Sequence, residues 1–377
     1  MLLRNVAQHV FKQRSEVRIP ASSCMHSRAT MGGVYCERRP SCCQPQSNMP
    51  ADLVAHENDC VELYSHRTVS VRNGRFEYED SELSCVGRGS YGIVFRGVEI
   101  DTGRPVAVKK VARHSVKPDE LKAMKALQSR YLVGLIDICN RDVETTYLVM
   151  ELCDTDLDRH LKNVSTNGSL NDANFKILLE HIARGYQALY EQKVVHRDIK
   201  PQNILLQYAH ESRRIVAAKI TDFGISRVLE EDGNECSDPQ LSNVAGTLYY
   251  MAPEVGANLL KTCHYDHQVD MWSIGCVLYQ CLTGEIPFDE RSLCRLFLYA
   301  AGGNYDAYDP PEFPTEKRVS KEIESLVWSL LDLNSVKRTT PASFYKTVLS
   351  ITGTDTLSEG YTSLDDDCSS NTSRDSA

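Results

Sequence analysis

Two short polar segments constrain this chain more than any other feature. The first is His-Arg-Asp-Ile-Lys-Pro-Gln-Asn at residues 196–203, and the second is Asp-Phe-Gly at 222–224. Together they supply two carboxylates, one amide and one cation. Mg²⁺ prefers oxygen ligands of this kind, and a phosphoryl group in transfer carries negative charge that cations stabilise. Either segment alone is typical of a surface turn, but both in this order indicate phosphoryl-transfer chemistry.

A glycine-rich segment lies upstream and predicts a further phosphate contact. It reads Gly87-Arg88-Gly89-Ser90-Tyr91-Gly92-Ile93-Val94, and its glycines let backbone amides approach phosphate oxygens. Dinucleotide-binding folds use the same spacing, but there the glycines open a helix. Here residues 93–100 are β-branched, 101–103 form a turn, and 105–109 return as a second strand. The pattern therefore favours phosphates held under a β-hairpin.

With these motifs the chain resembles the eukaryotic protein kinases. The resemblance implies an α+β, bilobal fold with a small antiparallel β lobe, one regulatory helix and a larger α-helical lobe. It also implies transfer of the ATP γ-phosphate, with Mg²⁺, to hydroxyl groups of proteins. In that scheme Asp198 orients the acceptor hydroxyl or takes its proton, Lys109 and Lys200 neutralise phosphate charge, and Asn203 and Asp222 hold Mg²⁺.

The resemblance pairs Lys109, at the end of a Val-Ala-Val-Lys strand, with a carboxylate on the next segment. Residues 119–127 have apolar positions at helical spacing, and Glu120 is at the family's position for this pair. Asp119 is the alternative, although an acid in a first turn also simply favours the helix dipole. Lys110 is the alternative to Lys109, and strand alternation directs the two lysines to opposite faces.

The resemblance assigns the nucleotide site to the glycine loop, the lysine strand, the connector between the lobes and the catalytic segment. These residues are Gly87, Arg88, Gly89, Ser90, Tyr91, Gly92, Val94, Ala107, Lys109, Met150, Glu151, Cys153, Asp156, Asn203 and Asp222. Met150 occupies the gatekeeper position, where simple core filling is equally compatible with its side chain. The backbone of Glu151 and Cys153 is expected at the adenine edge, and Asp156 at the ribose.

Three residues receive structural roles by the same resemblance. Glu254 ends the Ala-Pro-Glu segment and needs a buried cation, for which Arg338 is at the usual place. The alternative for Arg338 is an ordinary solvated basic pair with Lys337. Asp270 is expected to accept backbone N–H bonds from the catalytic segment.

Lys200 and Thr247 indicate the class of acceptor. In serine/threonine kinases a lysine lies two residues after the catalytic aspartate and a threonine follows the glycine before Ala-Pro-Glu, as in this chain. A pseudokinase is disfavoured because Lys109, Asp198, Asn203 and Asp222 are all present. A small-molecule kinase is disfavoured by the Ala-Pro-Glu segment and Thr247, which in the family shape a peptide platform.

The activation segment departs from the family pattern. Asn243 stands where the phosphorylated residue that docks on the arginine of His-Arg-Asp, here Arg197, often lies. A buried arginine requires an anion. Two hypotheses remain: phosphorylation of Ser242, or an unmodified acid from the nearby group Glu230, Glu231, Asp232, Glu235 and Asp238.

The subfamily is indicated only by local similarity. An extended hairpin at 208–218 follows the catalytic segment, and residues 278–284 and 295–297 come later. These stretches resemble the autophagy-initiating kinases and, less closely, the IκB-kinase-like group.

Length and composition agree with one catalytic unit. Of 377 residues, 42% are hydrophobic, which is ample for a core, and the net charge of −9 disfavours nucleic acid as a main partner. The 14 scattered cysteines are interpreted as free thiols of a reducing compartment. No apolar run is long enough for a transmembrane helix.

The two ends differ in composition from the middle. Residues 1–75 are predicted to be a mostly disordered extension, 76–352 the kinase domain, and 353–377 a disordered tail rich in Ser, Thr and Asp. Residues 1–14 contain basic and apolar residues without an acid, as in a mitochondrial presequence. We expect a cytoplasmic protein, with nuclear and mitochondrial locations as alternatives. Its expected partners are protein substrates and regulatory proteins.

Overall fold

The small lobe is built on one antiparallel sheet. The computed structural model describes residues 67–89, 92–115, 124–140, 144–209, 212–222, 227–228, 248–257 and 266–354. The strands of this lobe are β1 Arg67–Val71, β2 Phe76–Asp80, β3 Cys85–Gly89, β4 Gly92–Glu99, β5 Arg104–Ala112, β6 Leu135–Asn140 and β7 Thr145–Glu151. Within the described ranges they form a sheet of order β1-β2-β4-β5-β7-β6, with β3 paired to β4.

Strand β1 lies upstream of residue 76, where the sequence predicted the domain to begin. Val69 and Val71 are buried and pack with Phe76 and Tyr78 of β2, while Ser70 between them is exposed. This alternation gives β1 one apolar face, which requires a place on the sheet. The small lobe therefore includes at least residues 67–75, a correction to the predicted boundary. Residues 1–66 lie outside the described ranges.

The predicted β-hairpin after the glycine loop is confirmed. Strands β4 and β5 pair in antiparallel register from Ile93 opposite Lys110 to Glu99 opposite Arg104. The predicted helix over 119–127 falls mostly outside the described residues, although residues 124–126 are helical.

The large lobe is mainly helical. Its helices are α1 Leu157–Asn163, α2 Asp172–Glu191, α3 Pro253–Ala257, α4 Gln268–Thr283, α5 Glu290–Gly302, α6 Lys321–Leu330 and α7 Pro341–Thr352. Helix α4 is buried on nearly all sides and forms the centre of the lobe, as expected for a helix that is apolar all round. Asn171 caps the start of α2, and Thr340 that of α7, each through its own side chain.

Five described strands of this lobe lie on either side of the catalytic segment in the sequence. They are β8 Thr155–Asp156, β9 Val194–Val195, β10 Ile204–Ala209, β11 Ser212–Ile220 and β12 Arg227–Val228. In the described part of the chain they form a sheet of order β11-β10-β8 and a separate β12-β9 pair. On β11, the N–H groups of Ile215 and Ala218 donate to Asn174 Oδ1 and His181 Nδ1 of α2.

Together these elements confirm the bilobal α+β architecture. The catalytic segment lies between β9 and β10 of the large lobe, and Lys109 lies on β5 of the small lobe. Among the described helices, none combines the length and hydrophobicity that crossing a bilayer requires.

Candidate active site

A buried carboxylate on α4 fixes the start of the catalytic segment. Asp270 is fully buried, and its Oδ2 and Oδ1 accept hydrogen bonds from the backbone N–H groups of His196 and Arg197, each at 2.7 Å. The Tyr186 hydroxyl donates to Oδ2 at 2.8 Å. Arg197 has a φ of +67°, a left-handed conformation that persists only where the surroundings hold it. The role predicted for Asp270 is confirmed.

The His196 ring holds this segment to the strand that precedes Asp222. Its Nδ1 accepts the backbone N–H of Asp198 at 3.2 Å, so the proton must be on Nε2. Nε2 then donates to the Thr221 carbonyl oxygen at 2.8 Å. The fully buried imidazole therefore links the residues before Asp198 and before Asp222.

Asp198, Lys200 and Asn203 form one hydrogen-bonded cluster. Lys200 Nζ donates to Asp198 Oδ1 at 2.9 Å and to Oδ2 at 2.7 Å. Asn203 Nδ2 donates to Asp198 Oδ2 at 2.9 Å and to its backbone oxygen at 2.8 Å. Asp198 and Asn203 are both buried. A carboxylate, a cation and an amide predicted to act together are thus in contact.

Lys109 and Asp222 join the two lobes at this cluster. Lys109 Nζ lies 2.6 Å from Asp222 Oδ1, and both side chains are mostly shielded from solvent. Burial is the largest single influence on the pKa of Asp222 and raises it, but the adjacent Lys109 ammonium and other nearby groups, including Lys200, together lower the pKa below its ordinary value. Lys110 points the other way, with Nζ 3.5 Å from Asp80 Oδ2, as strand alternation predicted.

The glycine loop leaves room where phosphate is expected. Gly92 has a φ of +144°, and a Cβ there would collide with the Lys110 carbonyl oxygen, so only glycine fits. A Cβ at Gly87 or Gly89 would meet nothing within 4 Å. The packing of the described residues therefore does not explain these two glycines, which agrees with the predicted approach of phosphate to the backbone here.

A small apolar cluster lies beside this loop. Ala107 and Met150 are opposite each other on β5 and β7 and are buried together with Val133 and Leu148. Half-buried apolar side chains pack against them, and these include Val94, Leu152, Cys153 and Leu205. The cluster combines both lobes and has the character of a surface for a planar, apolar ring system.

Polar contacts fix the last residue of β7, where the connector between the lobes begins. Glu151 Oε2 accepts from Lys219 Nζ at 2.8 Å, and Oε1 accepts from Gln207 Nε2 at 2.9 Å. Burial, with a further contribution from the Glu151 charge, raises the pKa of the Cys153 thiol to about 12. Cys153 is therefore a neutral thiol at neutral pH and a weak nucleophile.

Asp156 has a structural function in addition to its predicted ribose contact. Its Oδ1 caps α1 by accepting the Arg159 N–H at 2.9 Å, and Oδ2 lies 3.2 Å from the Arg159 guanidinium. Burial raises the pKa of this carboxyl group, which the Arg159 contacts oppose. The ribose contact stays a prediction.

Several predicted residues fall outside the described ranges. They are Ser90, Tyr91, Asp119, Glu120, Phe223, Gly224, Ser242, Asn243 and Thr247. The Lys109–Glu120 pair and both hypotheses for the activation segment therefore stay predictions.

A comparison with family models decides the family. The model for the protein kinase domain matches residues 81–349. The chain belongs to the protein kinase family. Its match spans both lobes and every described member of the catalytic cluster.

Curated kinases with similar sequences agree with this assignment. The chain is 33% identical to serine/threonine-protein kinase unc-51 of Caenorhabditis elegans over 72% of its own length and 31% of that protein. It is 32% identical to serine/threonine-protein kinase ULK1 of Homo sapiens, over 70% of this chain and 24% of that one. Mitogen-activated protein kinase hog1 of Aspergillus clavatus is 35% identical over 58% of this chain and 56% of its own. This kinase thus spans about a quarter to just over half of the length of these relatives. The predicted similarity to autophagy-initiating kinases agrees with the matches to unc-51 and ULK1.

A solved kinase structure shares the fold. A crystal structure of Rad53 residues 1–466 in complex with AMP-PNP matches with a TM-score of 0.56 and 28% identity. The match covers 73% of this chain and 65% of that one.

The kinase cluster contains oxygen donors that fit Mg²⁺. The described residues include no group of three or more His, Cys, Asp or Glu side chains that could hold a metal alone. Asn203 and Asp222 nevertheless offer an amide and an ionised carboxylate, and Mg²⁺ typically uses one or two such ligands together with waters and phosphate oxygens. The donor set therefore fits a magnesium ion that arrives with a nucleotide.

The anchor predicted for Glu254 is confirmed. Arg338 Nη1 and Nη2 donate to Glu254 Oε1 and Oε2 at 2.7 and 3.0 Å. The guanidinium is buried, and it also donates to the carbonyl oxygens of Asp332 and Gln268. The alternative, a solvated pair with Lys337, is wrong for Arg338, because only Lys337 is exposed.

Three residues of this kinase site were missed in the sequence. Leu205 packs on the apolar cluster, and Gln207 and Lys219 hold Glu151. Leu205 carried a usable signal, because it lies in the apolar run 204–206 directly after Asn203. Gln207 and Lys219 carried none, since their contact with Glu151 depends on tertiary folding.

Proposed function

We propose that the chain is an ATP-dependent serine/threonine protein kinase that transfers the γ-phosphate of ATP to protein hydroxyls. The observation that carries this proposal is the contact of Asp198 with Lys200 and Asn203, beside the Lys109–Asp222 pair from the opposite lobe. These two contacts contain all five side chains predicted to carry phosphoryl transfer, which a transferase requires and a scaffold does not. Lys200 and the similarity to the serine/threonine-protein kinases unc-51 and ULK1 support serine or threonine as acceptor.

In the proposed reaction, Asp198 receives the acceptor hydroxyl. An ionised carboxylate has about four acceptor sites, and Lys200 and Asn203 occupy part of that capacity. The remaining capacity lets Asp198 accept the hydroxyl proton and orient the oxygen for attack. Asp270 and His196 hold the backbone on either side of Arg197, so the carboxylate is positioned before substrate binds.

Cations from both lobes would balance the charge of the triphosphate. Lys109 of β5 and Lys200 of the catalytic segment lie on either side of the cleft and are both partly shielded from water, which strengthens their attraction for phosphate oxygens. Asn203 and Asp222 would hold Mg²⁺, whose charge neutralises the phosphates when it is bound. The apolar cluster of Ala107, Met150 and Leu205 is the proposed seat of the adenine.

The experiment that tests this function is phosphate transfer from labelled ATP with Mg²⁺ to a generic basic protein, followed by phosphoamino-acid analysis. We expect label on serine or threonine with the wild type. Asp198→Asn should reduce the rate by about 10²-fold or more, because the proton acceptor is lost. Asp306→Asn, at an exposed position of the large lobe, is the matched control and should retain the wild-type rate.

Three outcomes would contradict the proposal. Equal rates for wild type and Asp198→Asn would show that the labelled product has another origin. Thermal stabilisation by ATP without transfer by either protein would favour a pseudokinase. Competition by sugars or choline, but not by peptides, would favour a small-molecule kinase.

We also propose a cytoplasmic location, with protein substrates and regulatory proteins as partners. The cysteines within the described residues are all unpaired, which is typical of a reducing compartment. Fluorescence microscopy of the tagged full chain tests this location. Coincidence with a mitochondrial marker would favour instead a presequence at residues 1–14.

A further inference from the structure

The hairpin of β10 and β11 contains an irregularity that exposes two arginines. Tyr208 pairs with Ile215, and Ala209 pairs with Ser212, so Arg213 and Arg214 have no partner residue on β10. Such β-bulges redirect side chains away from the regular faces of a sheet. Both arginines are exposed.

These arginines line an open pocket, here called the hairpin pocket. It has a volume of about 510 Å³ and lies where the hairpin meets the end of α1 and the start of α2. Its wall also includes His160 and the hydroxyl groups of Ser165, Thr166 and Ser169. None of the described residues that line it is Asp or Glu. Lys317 adds a third cation at the edge, because its Nζ lies 2.7 Å from Ser169 Oγ.

The two arginines of the hairpin pocket are not ion-paired with any described residue, although Asp172 lies between the lining residues Asn171 and Ala173 in the sequence. Neither Arg213 nor Arg214 forms an ion pair within the described ranges, whereas the neighbouring Arg159 and Lys162 pair with Asp156 and Asp158. The chain as a whole carries a net charge of −9. A cluster of uncompensated cations on an acidic protein is a local site for an anionic partner.

The floor of the pocket is held in place by hydrogen bonds. His160 is buried, and its Nδ1 is 2.8 Å from the Tyr208 hydroxyl. Burial, together with the nearby Arg213 charge, lowers the pKa of His160, so this ring is neutral at neutral pH. Asn174 Oδ1 accepts the Ile215 N–H at 3.2 Å. The arginines therefore project from a floor that is formed before any ligand binds.

We propose that the hairpin pocket docks an acidic peptide segment of a partner protein. Guanidinium groups bind carboxylates through paired, charge-assisted hydrogen bonds. The surrounding hydroxyl groups can bond the peptide backbone, and the volume accommodates several residues rather than one small ion. An extended polyanion such as nucleic acid fits less well, because it would also meet the rest of a chain whose net charge is −9.

Docking at the hairpin pocket is separate from catalysis. None of the pocket residues belongs to the cluster around Asp198 or to the Lys109–Asp222 pair. Binding is therefore measurable without turnover, and its failure is distinguishable from failure of the proposed kinase activity.

The test is fluorescence anisotropy of a labelled peptide of alternating Glu and Ser, titrated with the full chain. A peptide with Gln in place of Glu is the control ligand. We expect the acidic peptide to bind more tightly and its binding to weaken with added salt. Arg213→Ser with Arg214→Ser should weaken binding by at least about tenfold, because charge-assisted bonds are lost.

A matched double variant controls for overall charge. Arg96→Ser with Arg104→Ser removes two exposed arginines of the small lobe and should leave peptide binding unchanged. Both double variants should keep the wild-type melting temperature and the wild-type rate on a generic substrate. Equal losses of binding in the two double variants, or equal binding of the Gln peptide, would overturn the proposal.

Two further results would assign the pocket to another occupant and would also overturn it. Tighter binding of single-stranded DNA than of the acidic peptide, lost on Arg213→Ser with Arg214→Ser, would identify nucleic acid. Binding of the peptide only to a variant in which Asp365, Asp366 and Asp367 are Asn would show that this chain's own acidic run fills the pocket.

Discussion

At the scale of single residues, Asp270 offers the sharpest test of how the catalytic segment is held. One carboxylate accepts from His196 N, Arg197 N and the Tyr186 hydroxyl in a fully buried setting. Asp270→Asn places an NH₂ group against a backbone N–H and leaves buried donors unsatisfied. We expect the free energy of unfolding to fall by about 2–4 kcal/mol and kcat to fall by about 10²-fold, since misplacement of the reacting groups is costly.

Urea denaturation and steady-state kinetics measure the two effects of Asp270→Asn. Asp306→Asn makes the same chemical change at an exposed position and should alter neither quantity. A destabilised variant with wild-type kcat would show that Asp270 stabilises the fold without positioning Asp198.

The residues whose partners were predictable share one property. Asp270, and the pair of Glu254 with Arg338, were predictable because each lies in a short motif with a fixed partner in the family. Lys219 and Gln207 were not, because they are 68 and 56 positions from Glu151 and meet it only when β10 and β11 fold beside the end of β7.

At the scale of elements, Gln207 and Lys219 of the large-lobe hairpin hold Glu151 at the end of β7. Lys219 is largely shielded, and its ammonium holds the Glu151 carboxylate at the proposed adenine edge. Lys219→Met removes this restraint, so a smaller fraction of molecules has the connector ready to bind. We expect KM for ATP to rise by about three- to tenfold, with kcat within about twofold because the Asp198 cluster is untouched.

Steady-state kinetics at varied ATP concentration test the effect of Lys219→Met. Lys219→Arg keeps the charge and should recover part of the loss, and the exposed Lys321→Met should leave both constants unchanged. A fall in kcat with an unchanged KM would contradict a role for Lys219 in ATP binding.

Regular elements were more predictable than their irregularities. The β4–β5 hairpin was predictable from two β-branched segments joined by an Asp-Thr-Gly turn. In the structure the two strands pair residue by residue in antiparallel register. Strand β1 was missed because its signal is only the alternation of Val69 and Val71 in five residues. The bulge at Arg213 and Arg214 had no signal, since a bulge depends on how two strands pair rather than on either strand alone.

At the scale of the whole molecule, the pH dependence of stability follows from histidines of the large lobe. Burial lowers the pKa of His160, His181 and His267. For His160 and His181, nearby arginines add to this, while Glu180 opposes it at His181 and Asp270 opposes it at His267. His181 Nδ1 also accepts the Ala218 N–H at 3.0 Å, which protonation would abolish. The folded chain therefore binds these protons less readily than the unfolded chain.

A histidine whose pKa in the folded state lies below the ordinary value of 6.5 stabilises the fold. This stability is fully present above pH 6.5 and is lost as the pH falls below 6.5. Each such histidine lowers the free energy of unfolding by at most about 1.4 kcal/mol per pH unit.

We expect the free energy of unfolding to decrease from about pH 7.5 to about pH 5.5 in urea titrations. His181→Gln should make this decrease less steep, because the Gln carbonyl can still accept the Ala218 N–H without titrating. The exposed His114→Gln is the control and should retain the wild-type slope. If His181→Gln and wild type lose stability in parallel, protonation of His181 does not contribute to the pH dependence of stability.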